Sequence, residues 1–214
     1  MIRQSLAILL AAATLMVGCS NILAPRPNRT RYFVLSPAPA TEAQSKPELT
    51  VGIGPLEVPD YLNRNERAVS VGANQLRFLE DERWAEALDA NIMRVLLQNS
   101  AQRLRNANVV SLPTFLDSQL TYQVPVHITR FESTEKGDAS LEAQWDVLDH
   151  HDKVLFSGQS NITEPSAGEG SDAAVAALSR AVDRLSAEIV DAVVRARSTQ
   201  PAAAAEPGHK KRAK

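Results

Sequence analysis

The chain has little of what several large classes of protein require. It has one cysteine in 214 residues, which excludes a disulfide framework and a thiolate zinc site. Its 4 histidines offer few ligands for a metal centre, and an aromatic content of only 5% argues against an aromatic-lined groove for bases or sugars. The formal net charge of -2 lacks the positive excess of a general nucleic-acid-binding surface. We therefore expect no metal, no cofactor and no nucleic acid partner.

Motifs that mark known enzyme classes are absent as well. The sequence contains no G-x-S-x-G nucleophile elbow and no H-E-x-x-H zinc motif. Gly52–Gly54 begins like a phosphate-binding loop, but Pro55 follows it directly. His150 and His151 lie side by side between two aspartates, a pattern typical of a solvated turn, and His127 is expected at the surface or in an interface. The sequence thus predicts a protein that is not an enzyme; the alternative is a hydrolase with an unrecognised site.

A secretion signal is expected at the N-terminus. Arg3 supplies a positive charge, and the apolar run Leu6–Val17 has the length of a signal-peptide core, too short for the ~20 residues that span a bilayer. The run ends at Gly18 and Cys19, which is the one cysteine of the chain. This junction resembles the lipobox of bacterial lipoproteins, in which the thiol receives a diacylglyceryl group and cleavage makes the cysteine the first residue. The alternative is a secretory signal followed by an incidental cysteine.

The resemblance to a lipobox implies both an anchor and a location. Residues 1–18 would be removed as a signal peptide, and Cys19 would carry acyl chains such as palmitate. Ser20 follows the cysteine, and by resemblance to Gram-negative sorting rules the absence of aspartate there favours the outer membrane. The chain would then be held at the inner leaflet of that membrane, with its body in the periplasm.

Composition divides the mature chain into three parts. Residues 19–31 contain two prolines and several polar groups, which is typical of a tether. Residues 32–197 show the apolar periods of strands and helices, and we expect them to form a single domain. Residues 198–214 are rich in alanine and proline, end in a basic cluster and are expected to be disordered.

Apolar periodicity within the domain predicts an α+β fold. Alternation typical of strands is clearest at Leu120–Ile128 and Leu141–Val147. Helical stripes of apolar residues predict helices at Arg83–Arg105 and Asp172–Arg197. The expected architecture is a mainly antiparallel sheet packed against two amphipathic helices, with Trp84 in the core. Further strands are expected at residues 32–35, 49–53, 68–71, 75–79, 108–112 and 153–163.

Three segments resemble the ABC-type transport auxiliary lipoprotein family. The first is Leu56–Arg64, in which Val58–Leu62 is the most specific part. The second is Arg83–Leu88, where a tryptophan precedes an amphipathic helix, and the third runs from Phe131 to Trp145. Together with the lipobox, the resemblance extends to the end of the second predicted helix. The basic tail departs from the family, so nothing about residues 198–214 follows from it.

The resemblance implies a role in lipid traffic between two membranes. Members of this family accompany MCE-domain proteins, which form tubes or needles across the periplasm. The implied partner is therefore the MCE-domain periplasmic protein of the same transport system, in either a Pqi-type or an ABC-driven form. This chain would be the non-catalytic outer-membrane component, and the ring shape of MCE assemblies is compatible with a homo-oligomer.

A regulator of a peptidoglycan synthase would share the lipid anchor and the small α+β body. Such a regulator is expected to need a linker of ~50 residues or more to reach through the cell wall. The tether at residues 19–31 is much shorter, which favours the transport role.

The Val58–Leu62 segment is the expected partner-binding site. Pro55 and Pro59 interrupt the hydrogen-bond ladder of a strand, so the chain should leave the sheet there and cross the surface. The side chains of Tyr61 and Leu62 then either pack back onto the body or face a partner, with Arg64 close by as a polar anchor. The candidate partner-binding residues are Pro59, Asp60, Tyr61, Leu62 and Arg64.

Overall fold

The computed structural model describes residues 29–39, 47–114 and 120–199 of the chain. The expected signal peptide, the lipidation candidate Cys19, most of the tether and residues 200–214 of the tail lie outside the described residues. The described residues from Arg31 onward belong to one structural unit.

The described residues form one eight-stranded sheet and two α-helices. A short 3-10 helix at Asp60–Leu62 lies between the second and third strands. The elements in chain order are β1 (Arg31–Phe33), β2 (Leu49–Glu57), β3 (Glu66–Gly72), β4 (Gln75–Trp84), α1 (Leu88–Arg103), β5 (Ala107–Ser111), β6 (Tyr122–Thr134), β7 (Ala139–Asp149), β8 (Val154–Glu164) and α2 (Gly170–Thr199).

Strand β6 organises the sheet. Its first half pairs in parallel with β2, and its last residues pair in parallel with β3. Strand β7 pairs antiparallel with β6 along nearly its whole length, so β7 occupies the opposite edge of β6. Beyond these strands, β4 pairs with β3 and β8 with β7, both antiparallel, while β1 and β5 add in parallel to β4 and β2. Strands β2 and β3 therefore follow one another along one edge of β6, and the segment between them must cross from one to the other.

The predicted α+β class is confirmed. The two longest ladders, β6 with β7 and β7 with β8, are antiparallel hairpins, as the spacing of strands and turns predicts. The sheet also contains parallel pairs such as Val51 with Tyr122. Parallel strands need long crossover connections, so their partners lie far apart in the sequence and local turn signals do not predict them.

The predicted helix at Arg83–Arg105 is wrong at its start. Helix α1 begins at Leu88, and Arg83 and Trp84 are the last residues of β4. Strand β4 continues this far because these two residues pair with β1, a contact between distant parts of the chain. Trp84 lies in the core as predicted, with 5% of its surface exposed.

The core lies between the helices and one face of the sheet. The second predicted helix is confirmed as α2, whose Leu178, Leu185 and Ile189 are at most 1% exposed. Helix α1 packs against α2, β2 and β5, while α2 covers β6, β7 and β8. Along β7, fully buried residues alternate with more exposed ones, so the other face of the sheet is open. None of the helices in the described ranges is long and apolar enough to cross a membrane.

Candidate partner-binding surface

The candidate segment lies where the chain passes from β2 to β3. Pro59, in extended conformation, precedes the 3-10 turn. The amide of Leu62 donates a hydrogen bond to the carbonyl of Pro59 at 2.9 Å, and the amide of Asn63 donates to the carbonyl of Asp60 at 3.1 Å. Because these bonds close the turn locally, the crossing is compact and needs no long loop.

Pro55 lies inside β2, where the sequence predicts a break in the ladder. The register between β2 and β6 shifts between Ile53 and Leu56, and the pairing of β2 with β5 ends at Ile53. The ladder is therefore interrupted at Pro55, yet the strand itself continues to Glu57.

Tyr61 packs its ring partly onto the body and fixes its hydroxyl there. The hydroxyl donates a hydrogen bond to Oε2 of Glu132 on β6 at 3.0 Å. Oε1 of the same carboxylate accepts a hydrogen bond of 2.8 Å from Nε of Arg130, and Glu132 is only 5% exposed. Burial, helped by the Glu132 charge, raises the pKa of Tyr61 to about 12, so the hydroxyl remains a donor at neutral pH.

The other candidate residues divide between the core and the surface. Leu62 is 4% exposed and joins the hydrophobic core, so it holds the turn from inside. Asp60 is exposed, and Pro59 is half-buried. Arg64 is exposed and lies with its guanidinium carbon 4.4 Å from the ring centre of Phe78. The structure thus brings Pro59, Asp60, Tyr61 and Arg64 to one short stretch of surface, supported by Leu62.

A buried ion pair lies on β3, a few residues beyond this surface. The Arg67 side chain is 2% exposed, and its Nη1 donates to Oε2 of Glu82 at 2.6 Å. Its Nη2 donates to Ser133 at 3.1 Å, and the hydroxyl of Ser171 donates to Glu82 as well. Burial lowers the pKa of Arg67, although Glu82 opposes this shift. The pair and its hydrogen-bond partners thus join β3, β4, β6 and the start of α2. In the sequence, the one feature that points to this buried pair is an arginine directly before two apolar strand residues.

The open face of the sheet carries a groove of about 510 Å³. His127 lies in it, exposed as predicted, with Nδ1 at 3.2 Å from Oε2 of Glu57. His150 and His151 are exposed in the turn between β7 and β8, where the sequence places them. The other polar side chains of the groove are Gln144, Asp146, Ser157 and Gln159.

The candidate surface presents charged and aromatic groups to solvent. It offers an exposed carboxylate at Asp60, an exposed guanidinium at Arg64 and the accessible part of the Tyr61 ring. Within residues 29–39, 47–114 and 120–199, no group of three or more His, Cys, Asp or Glu side chains is placed to hold a metal ion.

Comparison with known proteins shows that this fold occurs in solved structures, two of which are described here. No curated protein matches this chain. An uncharacterized protein of known crystal structure is similar at a TM-score of 0.65 and 20% identity, over 77% of this chain and 98% of the other. The protein XCC0632 from Xanthomonas campestris, of the DUF330 family, is similar at a TM-score of 0.64 and 15% identity, over 79% and 97% of the two chains. At these identities the likeness establishes the fold alone.

A family model gives the assignment. The model of the ABC-type transport auxiliary lipoprotein component matches residues 33–190, from the end of β1 to well inside α2. The match includes the crossing from β2 to β3 and agrees with the resemblance of Leu56–Arg64. The chain therefore belongs to the ABC-type transport auxiliary lipoprotein family.

Proposed function

We propose that this chain is the outer-membrane lipoprotein of an MCE-type lipid transport system and that it docks the distal end of the periplasmic MCE assembly. The observation that carries the proposal is the family match over residues 33–190, because the family is one of auxiliary transport lipoproteins. In this role the chain tethers and binds, and it catalyses no reaction. The resemblance of Leu56–Arg64 supports an MCE-domain protein as its partner.

Cys19 provides the anchor in this proposal. Each buried methylene contributes about 0.8 kcal/mol, so one acyl chain binds a membrane only marginally, whereas several acyl chains on one cysteine anchor the protein stably. The apolar run before Cys19 and the serine after it support an anchor in the outer membrane. Replacing Cys19 with alanine should abolish incorporation of radiolabelled palmitate and release the chain from the outer-membrane fraction. Palmitate label retained by the Cys19→Ala chain would contradict lipidation at Cys19.

The docking surface in this proposal consists of Pro59, Asp60, Tyr61 and Arg64. Its support is the way the turn is held: Leu62 is buried in the core, and the Tyr61 hydroxyl is bonded to Glu132. A surface that is already ordered loses little conformational entropy when a partner binds. The side chains that remain exposed there can then contribute most of their contact energy to binding.

Affinity capture from envelope extracts tests the proposal, with the full-length lipoprotein as bait. The unaltered chain should enrich an MCE-domain protein. Asp60→Arg should reduce the captured amount about tenfold or more, because reversing a charge inside a complementary interface places like charges together. Its thermal midpoint should stay close to that of the unaltered chain, because the Asp60 side chain is exposed.

Asp191→Arg is the matched control. Asp191 is also exposed but lies on α2, so its reversal should leave the captured amount unchanged. Equal capture by Asp60→Arg and the unaltered chain would contradict the docking surface. Capture of a peptidoglycan synthase in place of an MCE-domain protein would overturn the function itself.

A further inference from the structure

Two exposed apolar side chains lie at the start of the domain, directly after the tether. Among the described residues, Tyr32 at 63% and Val34 at 49% are two of the four large apolar side chains that are exposed. The other two, Val154 and Val194, lie at the start of β8 and near the end of α2. Tyr32 and Val34 are thus the exposed apolar residues that follow the expected lipid anchor most closely in the sequence, and we call them the β1 patch.

The fold imposes the exposure of the β1 patch. Phe33 and Leu35 are 7% and 1% exposed and belong to the core. Because side chains alternate between the two faces of an extended segment, Tyr32 and Val34 point away from the core. The main chain is fixed at both ends of this segment, by the pairing of β1 with β4 and by the amide of Leu35, which donates a hydrogen bond to Oδ1 of Asn91 at 3.0 Å. The two side chains therefore cannot turn inward without breaking these contacts.

The surroundings of the β1 patch suit the interface of a membrane. Tyr32 lies opposite Arg83 in the ladder, so the two side chains share a face, and the Arg83 side chain is 42% exposed. Tyrosine rings are enriched at the headgroup level of bilayers, and arginine can bury its apolar stem there while its charge stays in water. Nη2 of Arg83 lies 3.8 Å from the carboxylate of Glu66, which offsets its charge. Contact with a bilayer would therefore depend on apolar burial more than on attraction to anionic lipids.

The tether keeps the β1 patch close to the anchored membrane. Residues 20–31 separate Cys19 from Tyr32, and an extended chain spans at most about 3.6 Å per residue, so Tyr32 stays within roughly 45 Å of the anchor. A short linker holds its domain at an effective concentration on the order of millimolar. A patch too small to bind a membrane by itself is then in contact with it for much of the time.

We propose that Tyr32 and Val34 contact the phospholipid surface of the membrane that holds the Cys19 anchor. This inference rests on the anchor of the proposed function. The acyl chains retain the protein, and the β1 patch determines which face of the domain turns towards the bilayer.

The proposed docking surface lies beside the β1 patch. The carboxylate of Glu66, which approaches Arg83, also lies 3.6 Å from Nε of Arg64. Contact at the β1 patch would therefore hold the docking surface near the headgroups, where a lipid passes between the assembly and the leaflet.

Quenching by lipid tests this contact in the mature lipoprotein with Val34→Cys. The thiol carries an environment-sensitive dye, and the vesicles contain phosphatidylethanolamine, phosphatidylglycerol and a phospholipid with a nitroxide near the top of one acyl chain. Acylation blocks Cys19, the one natural cysteine, so the introduced thiol alone reacts with the dye. The vesicles hold no other protein, so a protein partner cannot cause the quenching.

Val194→Cys with the same dye is the matched control. Val194 is 53% exposed, and it lies on α2, whereas the β1 patch points away from the helices and the core. It also lies about 33 Å along the helix from Asp172, the residue that Arg31 contacts. The dye at Val34 should be quenched about threefold more strongly, because it lies at the boundary of headgroups and acyl chains. Equal quenching at the two positions would show a dye that enters the bilayer by itself and would overturn the proposal.

A charge added to the β1 patch provides a second measurement. In the dye-labelled Val34→Cys chain, Tyr32→Asp should lower the quenching about twofold or more, because a carboxylate resists transfer into the bilayer. Val194→Asp in the same labelled chain should leave the quenching unchanged. Both positions are exposed, so equal thermal midpoints should show that the variants are folded. Unchanged quenching with Tyr32→Asp, or an equal loss with Val194→Asp, would overturn the contact.

The acylation state separates this inference from the anchor on which it rests. Mass measurement of the purified chain reports the acyl groups on Cys19. A chain without acyl groups would overturn the anchor and the contact together. An acylated chain whose dye at Val34 is quenched no more than its dye at Val194 would overturn the contact and leave the anchor in place.

Discussion

Two glutamates, Glu82 and Glu132, bond to the same two kinds of side chain in neighbouring parts of this molecule. Each accepts a hydrogen bond from an arginine and one from a hydroxyl: Glu82 from Arg67 and Ser171, Glu132 from Arg130 and Tyr61. The difference lies in the arginine, because the side chain of Arg67 is 2% exposed and that of Arg130 is 37% exposed.

The pKa values of the two arginines show what this difference means. Burial is the largest influence on both and lowers the pKa in each case. For Arg67 burial prevails over Glu82, so its pKa is lowered, whereas for Arg130 the carboxylates of Glu132 and Glu142 prevail and its pKa is raised. The buried Arg67 charge thus depends on Glu82 for its stabilisation. Arg130, which bonds to the same carboxylate as Tyr61, is partly exposed, so solvent also stabilises its charge.

Arg67→Ala should have the largest effect on stability. Removing one partner of a buried ion pair typically costs about 3–5 kcal/mol, because the other charge is left uncompensated. Arg77→Ala, on the adjacent strand, breaks a pair with Glu135 whose side chains are 56% and 54% exposed, and should cost less than about 1 kcal/mol. Urea denaturation of both variants measures the contrast. Equal losses would show that burial does not set the strength of these pairs.

Tyr61→Ala should destabilise the fold less than Arg67→Ala. A fully buried aromatic truncation costs about 3–5 kcal/mol, and Tyr61 is only half-buried, so we expect about 2 kcal/mol. Capture of the proposed MCE-domain partner by the folded variant should fall as well, because the ring lies on the proposed docking surface. A destabilised Tyr61→Ala chain that binds at full affinity would make Tyr61 a structural residue alone.

The main elements could be predicted from the sequence because their apolar periods are local. Alternation along β6, β7 and β8 and the long stripe of α2 depend on residues close together in the chain. The end of β4 at Trp84 could not be predicted, because its pairing with β1 joins residues distant in the sequence. The glutamates and the aspartate before Trp84 resemble the start of a helix, yet Glu82 belongs to β4 and pairs with Arg67.

The sequence identifies which residues form the candidate site but not which of their side chains reach the surface. Two prolines and the family resemblance identify residues 58–64, yet they do not distinguish a buried side chain from an exposed one. Leu62 and Tyr61 are neighbours in the sequence, and only their tertiary contacts place one in the core and the other against Glu132. The Arg67–Glu82 pair carries no motif at all, because its two members come together only through the pairing of β3 with β4.

Tyr61→Phe removes only the hydroxyl that bonds to Glu132, so it measures the contribution of that hydrogen bond and how this contribution changes with pH. Loss of this hydrogen bond to the Glu132 carboxylate should cost about 1.5 kcal/mol at neutral pH. Since the pKa of Tyr61 is raised from 10.0 to about 12, its stabilisation is fully present below pH 10 and is lost as the pH rises towards 12. The difference in unfolding free energy between the unaltered chain and Tyr61→Phe should therefore shrink over that interval. Tyr32→Phe, at an exposed tyrosine, should follow the unaltered chain throughout.

Arg64→Ala should have the smallest effect on stability and a clear effect on binding. The side chain is 54% exposed, its Nε lies 3.6 Å from Glu66 and its guanidinium lies over Phe78, contacts that together contribute about 1 kcal/mol or less. An arginine within an interface commonly contributes more than that, so capture of the proposed MCE-domain partner should fall about fivefold or more. Arg64→Lys keeps the charge but loses the flat stacking group, so it should recover only part of the capture. A loss of stability with capture unchanged would place Arg64 with Arg67, as a residue that serves the fold, and would leave the docking surface to Asp60 and Tyr61.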